Sequence, residues 1–226
     1  MALRLSIVVP VLDEAAVVEQ TLRSLQPLRR RGHEVIVVDG GSRDDTIARC
    51  DGLADRILQA PRGRARQMNA GAARAAGDVL VFLHADTRLP AAAPQAIERA
   101  LASGRRHWGR FDVRIDGRSR WLPAIAFGMN WRSRLTGIAT GDQAMFARRT
   151  EFDAVGGFPE QPLMEDIELS RRLRAGSRPA CVRLRAITSG RRWDERGALR
   201  TVLLMWRLRL AYWLGTPAER LASRYR

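Results

Sequence analysis

The chain has 226 residues, enough for one domain with a substantial core, and its 46% hydrophobic content excludes a disordered protein. Its formal net charge is +15, and all 39 basic residues are arginine. From Arg171 to the end, the sequence has 15 arginines and only three acids. This excess predicts an anionic partner for the C-terminal quarter, either nucleic acid, a nucleotide phosphate or an anionic membrane, unless it forms only a solvated basic face.

Cysteine use and the N-terminal residues bear on the cellular compartment. Cys50 and Cys181 are far apart and lack the spacing of zinc ligands, which indicates a reduced, intracellular chain. The N-terminus leads directly into a predicted strand, so we expect no signal peptide. The sequence has no uncharged apolar run of about 18 residues, so we expect no membrane-spanning helix. The expected location is the cytoplasm, including a peripheral position at the inner face of the cell membrane.

Strand and helix patterns alternate along the chain and predict an α/β fold. Predicted strands cover residues 5–9, 34–39, 56–58, 79–83, 108–115, 140–146 and 180–184. Predicted helices cover residues 15–28, a segment that follows the basic loop at 61–71 and ends near 76, and residues 91–102, 163–176 and 198–214. Residues 121–135 are apolar but irregular, and form either ordinary core or one wall of a substrate cleft.

Acids follow the predicted strands at the points where the strands end. Ligands of open α/β sheets bind outside the carboxyl ends of the strands, so Asp86 is a candidate ligand for a metal or a phosphate partner, with helix capping as its alternative role. Asp39 could accept hydrogen bonds from a base or a sugar hydroxyl. The turn Gly40-Gly41-Ser42 lets a ligand approach the backbone, but it matches neither the Walker loop nor the dinucleotide-binding fingerprint.

Charged residues also open two of the predicted helices. Three arginines, among them Arg64 and Arg66, oppose the helix dipole, and an anionic ligand such as a diphosphate would explain them. Glu165 and Asp166 lie in a first helical turn, where a carboxylate either caps the helix or acts as a general base. The C-terminal helix mixes Trp, Leu and Arg like an interfacial helix, although docking on the domain or on a second copy would use the same pattern.

Taken together, four motifs resemble, in order, those of family 2 glycosyltransferases. They are Pro10-Val11-Leu12-Asp13-Glu14, the loop from Val38 to Thr46, Leu83-His84-Ala85-Asp86 and Met164-Glu165-Asp166. The resemblance implies a GT-A fold, in which a Rossmann-like, mostly parallel sheet is flanked by helices. We expect this domain at residues 1–196 and an amphipathic helix with a basic tail at 197–226. The resemblance also implies a nucleotide-diphosphate sugar donor, UDP-linked or GDP-linked, a divalent metal, Mn²⁺ or Mg²⁺, and inversion at the anomeric carbon.

The resemblance also implies roles for individual residues. Asp166 corresponds to the proposed catalytic base, with Glu165 beside it, and Asp142 and Trp193 fall on the acceptor side. Asp86, together with His84, is the expected metal site. The residues expected to bind the donor are Pro10, Val11, Glu14, Asp39, Arg64, Arg66, Asn69, His84, Ala85, Asp86, Arg191 and Arg192.

Three departures from the family pattern refine the expected function. His84 replaces the first acid of the Asp-x-Asp motif, Gly40 replaces the second acid of the usual Asp-Asp-Gly-Ser, and the Gln of the polymerase signature is absent before Arg192. The last departure argues against processive synthesis. We therefore expect a non-processive transferase with an unidentified acceptor, a lipid-linked one included. The alternatives are an inactive nucleotide-sugar binder and a basic protein that binds an anionic surface, either nucleic acid or membrane. For the transferase we expect no nucleic-acid partner.

Overall fold

Parallel pairing of apolar strands builds one half of a central sheet in residues 3–225, the part of the chain that the computed structural model describes. The strands are β1 (Leu5–Val11), β2 (Glu34–Asp39), β3 (Arg56–Gln59), β4 (Val79–Phe82), β5 (Thr87–Arg88), β6 (Trp108–Asp116), β7 (Phe146–Arg148) and β8 (Ala180–Ser189). Within those residues they form one sheet in the order β3-β2-β1-β4-β7-β6-β8-β5.

Helices cover both faces of this sheet. They are α1 (Val18–Arg29), α2 (Arg64–Arg74), α3 (Ala93–Leu101), α4 (Leu122–Thr136), α5 (Arg149–Ala154), α6 (Glu165–Gly176), α7 (Arg191–Arg196), α8 (Ala198–Trp213) and α9 (Ala218–Tyr225). None of the helices formed by residues 3–225 is both long enough and apolar enough to cross a bilayer.

The strands β3, β2, β1 and β4 are parallel, and their registers align the ends of β1 and β2, where Val11 lies opposite Asp39. Alternate residues of β1 point to opposite faces: Ile7 and Val9 pack into one core and Val8 into another. Because both faces of β1, β2 and β4 are covered, their residues form nearly continuous apolar runs, as the sequence predicts, whereas the edge strand β3 is mostly exposed.

The other half of the sheet is mixed. β7 pairs antiparallel with β4 and with β6, so the polypeptide direction reverses beside β4. β8 pairs parallel with β6, with a register shift between Phe111 and Asp112, and antiparallel with the short β5. The result is a mostly parallel α/β sheet with a mixed edge.

The structure corrects five sequence-based expectations. Residues 121–135 form the regular helix α4, whose period is hidden because apolar side chains occupy both its buried and its exposed face. The strand expected at 140–146 is replaced by a 3₁₀ turn, Gly141–Gln143, and the short β7. The helix expected from residue 15 begins at Val18 after a turn, and the last strand extends to Ser189. The expected C-terminal helix is followed by a further short helix, α9.

Candidate active site

The loops after β1 and β2 are tied to each other by side-chain hydrogen bonds. Asp39 is 2% exposed and accepts hydrogen bonds from the N–H groups of Gly41 (3.1 Å) and Ser42 (3.0 Å). Asp13 accepts one from the N–H of Arg43 at 2.7 Å, and the N–H of Glu14 donates to the Thr46 hydroxyl at 2.8 Å. The carboxylate of Asp39 therefore fixes the loop backbone that a donor base would meet.

Gln67 on α2 holds the ends of β1 and β2 together. Its Nε2 donates to the carbonyl oxygens of Val11 (2.7 Å) and Val38 (2.8 Å), both inside the protein. A Cβ at Gly40 would lie 3.0 Å from the Gln67 amide, so this position favours glycine over the acid that the family pattern leads one to expect. Sequence reasoning missed Gln67, because a single glutamine in an Ala-rich helix carries no signal until the fold brings two strand ends to it.

Asp86 and Glu14 direct their carboxylates into the same space beyond β4 and β1. Oε2 of Glu14 lies 3.5 Å from Nη2 of Arg191 and has no hydrogen-bond partner among residues 3–225. Burial raises the pKa of Glu14, the charge of Asp86 raises it further, and Arg191 opposes both effects. Two neighbouring carboxylates with one arginine leave this part of the edge attractive to a cation.

His84 and Asp142 form the next contact along the edge. Nδ1 of His84 lies 3.2 Å from Oδ1 of Asp142, and a Cβ at Gly141 would overlap Nε2 of the imidazole ring. Burial raises the pKa of Asp142, but the hydrogen bond and charge of His84 and the charges of Arg64 and Arg192 outweigh it, so the pKa is lowered. Nε2 of His84 is buried and has no hydrogen-bond partner among residues 3–225, and the metal-binding role of His84 stays a prediction.

Arg64 interacts electrostatically with several acids at once. It lies 3.2 Å from Oε1 of Glu165, which is 3% exposed. Burial lowers the pKa of Arg64, but the charges of Glu165, Asp166 and Asp142 outweigh it and raise that pKa. Burial also raises the pKa of Glu165, with Asp166 adding to the effect, because one guanidinium shared among three carboxylates does not fully compensate the buried one.

Asp166 braces the turn that carries Asp142. Its Oδ2 accepts the N–H of Gly141 at 2.9 Å, and its Oδ1 accepts the N–H of Ile167 at 2.7 Å in the first turn of α6. The helix follows Met164, a residue with φ of 66°. Asp166 therefore ties the Gly141 turn to the first turn of α6 without capping the helix, and its role as a general base stays a prediction.

The remaining predicted residues are placed as follows. Arg192 lies near Arg64, Asp142 and Asp86, and burial with the charge of Arg64 lowers its pKa. Asn69 holds the turn before α6, because its side chain bonds the carbonyl oxygen and N–H of Phe158 at 2.8 and 2.9 Å.

Other predicted residues lie away from the charged cluster. Arg66 pairs at 3.1 Å with the exposed Glu160, and Trp193 packs on a small apolar cluster formed by β6 and α4. The side chains of Val11 and Ala85 are buried in the core, and Pro10 lies within β1. Direct ligand contacts by these residues stay predictions.

Residues 6–157, more than half of the chain, match the family model described as glycosyl transferase family 2. The chain belongs to glycosyl transferase family 2.

Curated relatives agree with this membership. An uncharacterized glycosyltransferase of Mycobacterium tuberculosis (strain CDC 1551 / Oshkosh) is 33% identical over 150 residues, which cover 62% of this chain and 56% of the relative. The undecaprenyl-phosphate 4-deoxy-4-formamido-L-arabinose transferase of Pseudomonas paraeruginosa is 31% identical over 156 residues, which cover 63% of this chain and 45% of that one. The chain thus spans about half the length of these relatives.

Comparison with solved structures confirms the expected GT-A fold. TarS of S. aureus (residues 1–349) superposes with a TM-score of 0.66 at 16% identity, covering 83% of this chain and 60% of TarS. The mannosyltransferase PcManGT from Pyrobaculum calidifontis, in complex with GDP-Man and Mn²⁺, has a TM-score of 0.65 at 21% identity, covering 93% and 61% of the two chains. Identities this low establish the fold alone.

The Arg64–Glu165 pair generates a test of the electrostatics. Arg64→Met leaves Glu165 buried without its partner, and we expect a loss of about 1–2 kcal/mol at pH 8, a value reduced because Arg64 is 44% exposed. The deficit should shrink as the pH falls, since protonation of Glu165, whose pKa is raised, removes the unpaired charge. Urea unfolding at pH 5 and pH 8 measures both values.

The matched control is Arg66→Met, which breaks the exposed pair with Glu160 and should change the free energy of unfolding by less than about 0.5 kcal/mol. Equal losses for both variants, or a deficit for Arg64→Met that does not depend on pH, would contradict the electrostatic account.

Proposed function

We propose that this chain transfers a sugar from a nucleotide-diphosphate donor to an acceptor hydroxyl in one non-processive step, with inversion at the anomeric carbon. The observation that supports this most is the convergence of Asp86, Asp142 and Asp166 with Arg64 and Arg192 at one edge of a family 2 sheet. In this arrangement the guanidinium groups are suited to a diphosphate, and Asp166 is suited to an acceptor hydroxyl.

On the donor side, the nucleotide would lie along the loops that Asp39 and Gln67 hold in place. Backbone N–H groups and arginines can bind phosphate oxygens. Arg192 lies near Asp86 and Arg64, and Arg191 lies 3.5 Å from Glu14. As the bond to the sugar breaks, negative charge grows on the diphosphate, and these guanidinium groups would stabilise it. TarS binds UDP-GlcNAc and PcManGT binds GDP-Man in their solved structures, so UDP and GDP are the nucleotides to test.

A divalent metal fits the residues beside the proposed diphosphate. Within residues 3–225 no cluster of three or more His, Cys, Asp and Glu side chains could hold one alone. Ions such as Mg²⁺ are commonly held by one or two carboxylates together with substrate phosphates, and Asp86 with the buried oxygen of Glu14 supplies that number. A bound Mn²⁺ or Mg²⁺ would neutralise charge on the leaving diphosphate.

On the acceptor side, Asp166 would take the proton from the attacking hydroxyl. Its hydrogen bond to the N–H of Gly141 holds the carboxylate in place. Asp142, whose pKa is lowered, stays ionised and keeps His84 oriented. Glu165, whose pKa is raised, is the second candidate for the base.

Exposed apolar side chains on two helices favour an acceptor at a membrane. Along α8, the exposed residues recur every three or four positions, opposite the face that packs on residues 163–164; they are Leu199, Leu203, Trp206, Leu210 and Trp213. On α4, Trp121, Phe127, Trp131 and Leu135 are also exposed. We name these two sets together the apolar stripes.

The charges on the same helices favour an anionic bilayer as the surface that covers the stripes. α4 and α8 together contain five arginines and no acid. Trp and Arg are typical of helices that lie in the interface of anionic membranes. A lipid-linked acceptor is in keeping with this position, and the relative from Pseudomonas paraeruginosa is named for an undecaprenyl-phosphate acceptor.

Calorimetric titration with UDP and GDP, each with Mn²⁺, Mg²⁺ or EDTA, tests the donor site. We expect binding that depends on the metal and is lost in Asp86→Ala. Asp116→Ala, an exposed acid at the end of β6, is the control and should bind like wild type. Binding that is the same with EDTA and in Asp86→Ala would refute the metal proposal.

Replacement of Asp166 tests the base. Asp166→Asn should bind nucleotide normally but hydrolyse or transfer the donor sugar about 10²–10⁴ times more slowly. UDP-GlcNAc and GDP-Man are suitable donors, and NMR of the first sugar released reports its anomeric configuration. Full activity of Asp166→Asn with loss in Glu165→Gln would move the role of base to Glu165, and retention of configuration would contradict inversion.

Vesicle sedimentation tests the apolar stripes. At low salt the chain should bind vesicles of phosphatidylglycerol and phosphatidylcholine but bind pure phosphatidylcholine more weakly. Trp206→Ser with Trp213→Ser should weaken binding by at least about tenfold, because two aromatic side chains lose their burial in the interface. Ile57→Ser, on the distant edge strand β3, is the control. Equal binding by all variants, or stripes covered instead by self-association in sedimentation velocity, would refute membrane docking.

A further inference from the structure

Arg132 on α4 carries the least satisfied buried charge near the proposed acceptor side. Its Nε and Nη2 are buried and have no hydrogen-bond partner among residues 3–225. Its third nitrogen, Nη1, makes a long contact of 3.4 Å to the carbonyl oxygen of Ile138. Buried polar groups of folded proteins are almost always paired, so two free N–H directions on one guanidinium need an explanation.

The acid that pairs with the other arginines of β6 and α4 makes no ion pair with Arg132. Asp112 is shared by Arg110, which is fully buried, and by Arg134 at 2.6 Å. Arg110 also donates to the hydroxyl of Ser133 at 3.0 Å and to the carbonyl oxygen of Asn130 at 3.0 Å, so its own needs are met. The local balance therefore leaves an excess of positive charge at Arg132.

A second helix adds to this excess. The pKa of Arg132 is lowered to about 10, mainly by burial and also by the charges of Arg209 and Arg110, while the charge of Asp166 opposes them. Arg209 lies on α8, so the like charges of these two helices repel each other here. Such an arrangement is unfavourable in an empty protein and favourable when an anion lies between the two guanidinium groups.

The position of Arg132 indicates which ligand the anion belongs to. Its charge interacts with Asp166, the proposed base, whereas the arginines that we assign to the diphosphate are Arg64, Arg191 and Arg192. The helices that carry Arg132 and Arg209 are also the two that carry the apolar stripes. An anionic group at this point would therefore be attached to an apolar acceptor beside the base.

We propose that Arg132 and Arg209 form a binding site for a phosphate group on the acceptor, which is an amphiphile whose apolar part lies along the stripes of α4 and α8. This proposal rests on the proposed function for the role of Asp166, but the anion site itself is a binding property that is measured without donor or turnover.

Calorimetry on the full chain tests the site. The ligands are decyl phosphate below its critical micelle concentration, decanol and inorganic phosphate. Wild type should bind decyl phosphate, and Arg132→Met should weaken that binding by about 10- to 100-fold, the range for loss of charged hydrogen bonds. Arg209→Met should act in the same direction. Arg207→Met removes the same charge from an exposed position of α8 and should have little effect. Inorganic phosphate and decanol should each bind more weakly than decyl phosphate.

Measurements of stability and of nucleotide binding distinguish the ways in which this proposal could fail. Arg132→Met should unfold at the same temperature as wild type or higher, since it removes a buried unpaired charge, and Arg132→Lys should retain part of the decyl phosphate binding. Unchanged decyl phosphate binding in Arg132→Met, or equal affinity for inorganic phosphate, would overturn the proposal. Marked destabilisation of both Arg132 variants would assign Arg132 a structural role instead. Decyl phosphate binding without any UDP or GDP binding would refute the proposed function but leave the anion site standing.

Discussion

Parallel pairing of β1, β2 and β4 determines where each charged group of the site lies. The three strands end at one edge, so the loops after them must share a small space and need internal ties to keep their shape. Asp39 and Gln67 provide those ties with hydrogen bonds to backbone groups of 2.7–3.2 Å. Because these ties come from buried side chains of the chain itself, they hold the loop backbone without a ligand, and such preorganisation would lower the cost of binding the nucleotide that we propose.

The local charges shift the pKa values of the acids at this edge in different directions. Asp142 is paired with His84 and lies near two arginines, which lowers its pKa, whereas Glu165 shares Arg64 with two other acids and is buried, which raises its pKa. Neighbouring titratable groups whose pKa values move apart are typical of catalytic sites. Three non-glycine residues with positive φ, Asp13, Ala144 and Met164, stand in the loops that carry these acids, and backbone strain of this kind also concentrates at functional sites.

The sequence predicts the features of this protein that depend on local pattern. The buried strands, the acids after them and the helix that begins at Glu165 all follow from short runs of residues. The pair between Arg64 and Glu165 joins residues 101 apart, and no local rule identifies it. The helix α4 escapes detection because Phe127 and Trp131 lie outward, where the usual amphipathic pattern places polar residues. The sequence therefore does not reveal contacts between residues far apart in the chain. It also does not reveal helices with apolar side chains on an exposed face.

Departures from the usual rules for exposed surface and buried polar groups occur on several elements around the proposed site. The family match covers residues 6–157, which include the loops after β1, β2 and β4 and the helix α4, whereas Asp166, α7 and α8 lie beyond it. Asp39 and Gln67 are satisfied by the chain itself. By contrast, Oε2 of Glu14 and two nitrogens of Arg132 have no hydrogen-bond partner among residues 3–225, and large apolar side chains of α4 and α8 are exposed. Since unpaired buried groups and exposed apolar surface are costly and are retained chiefly where a ligand compensates them, the metal and the amphiphilic acceptor that we propose would compensate these groups.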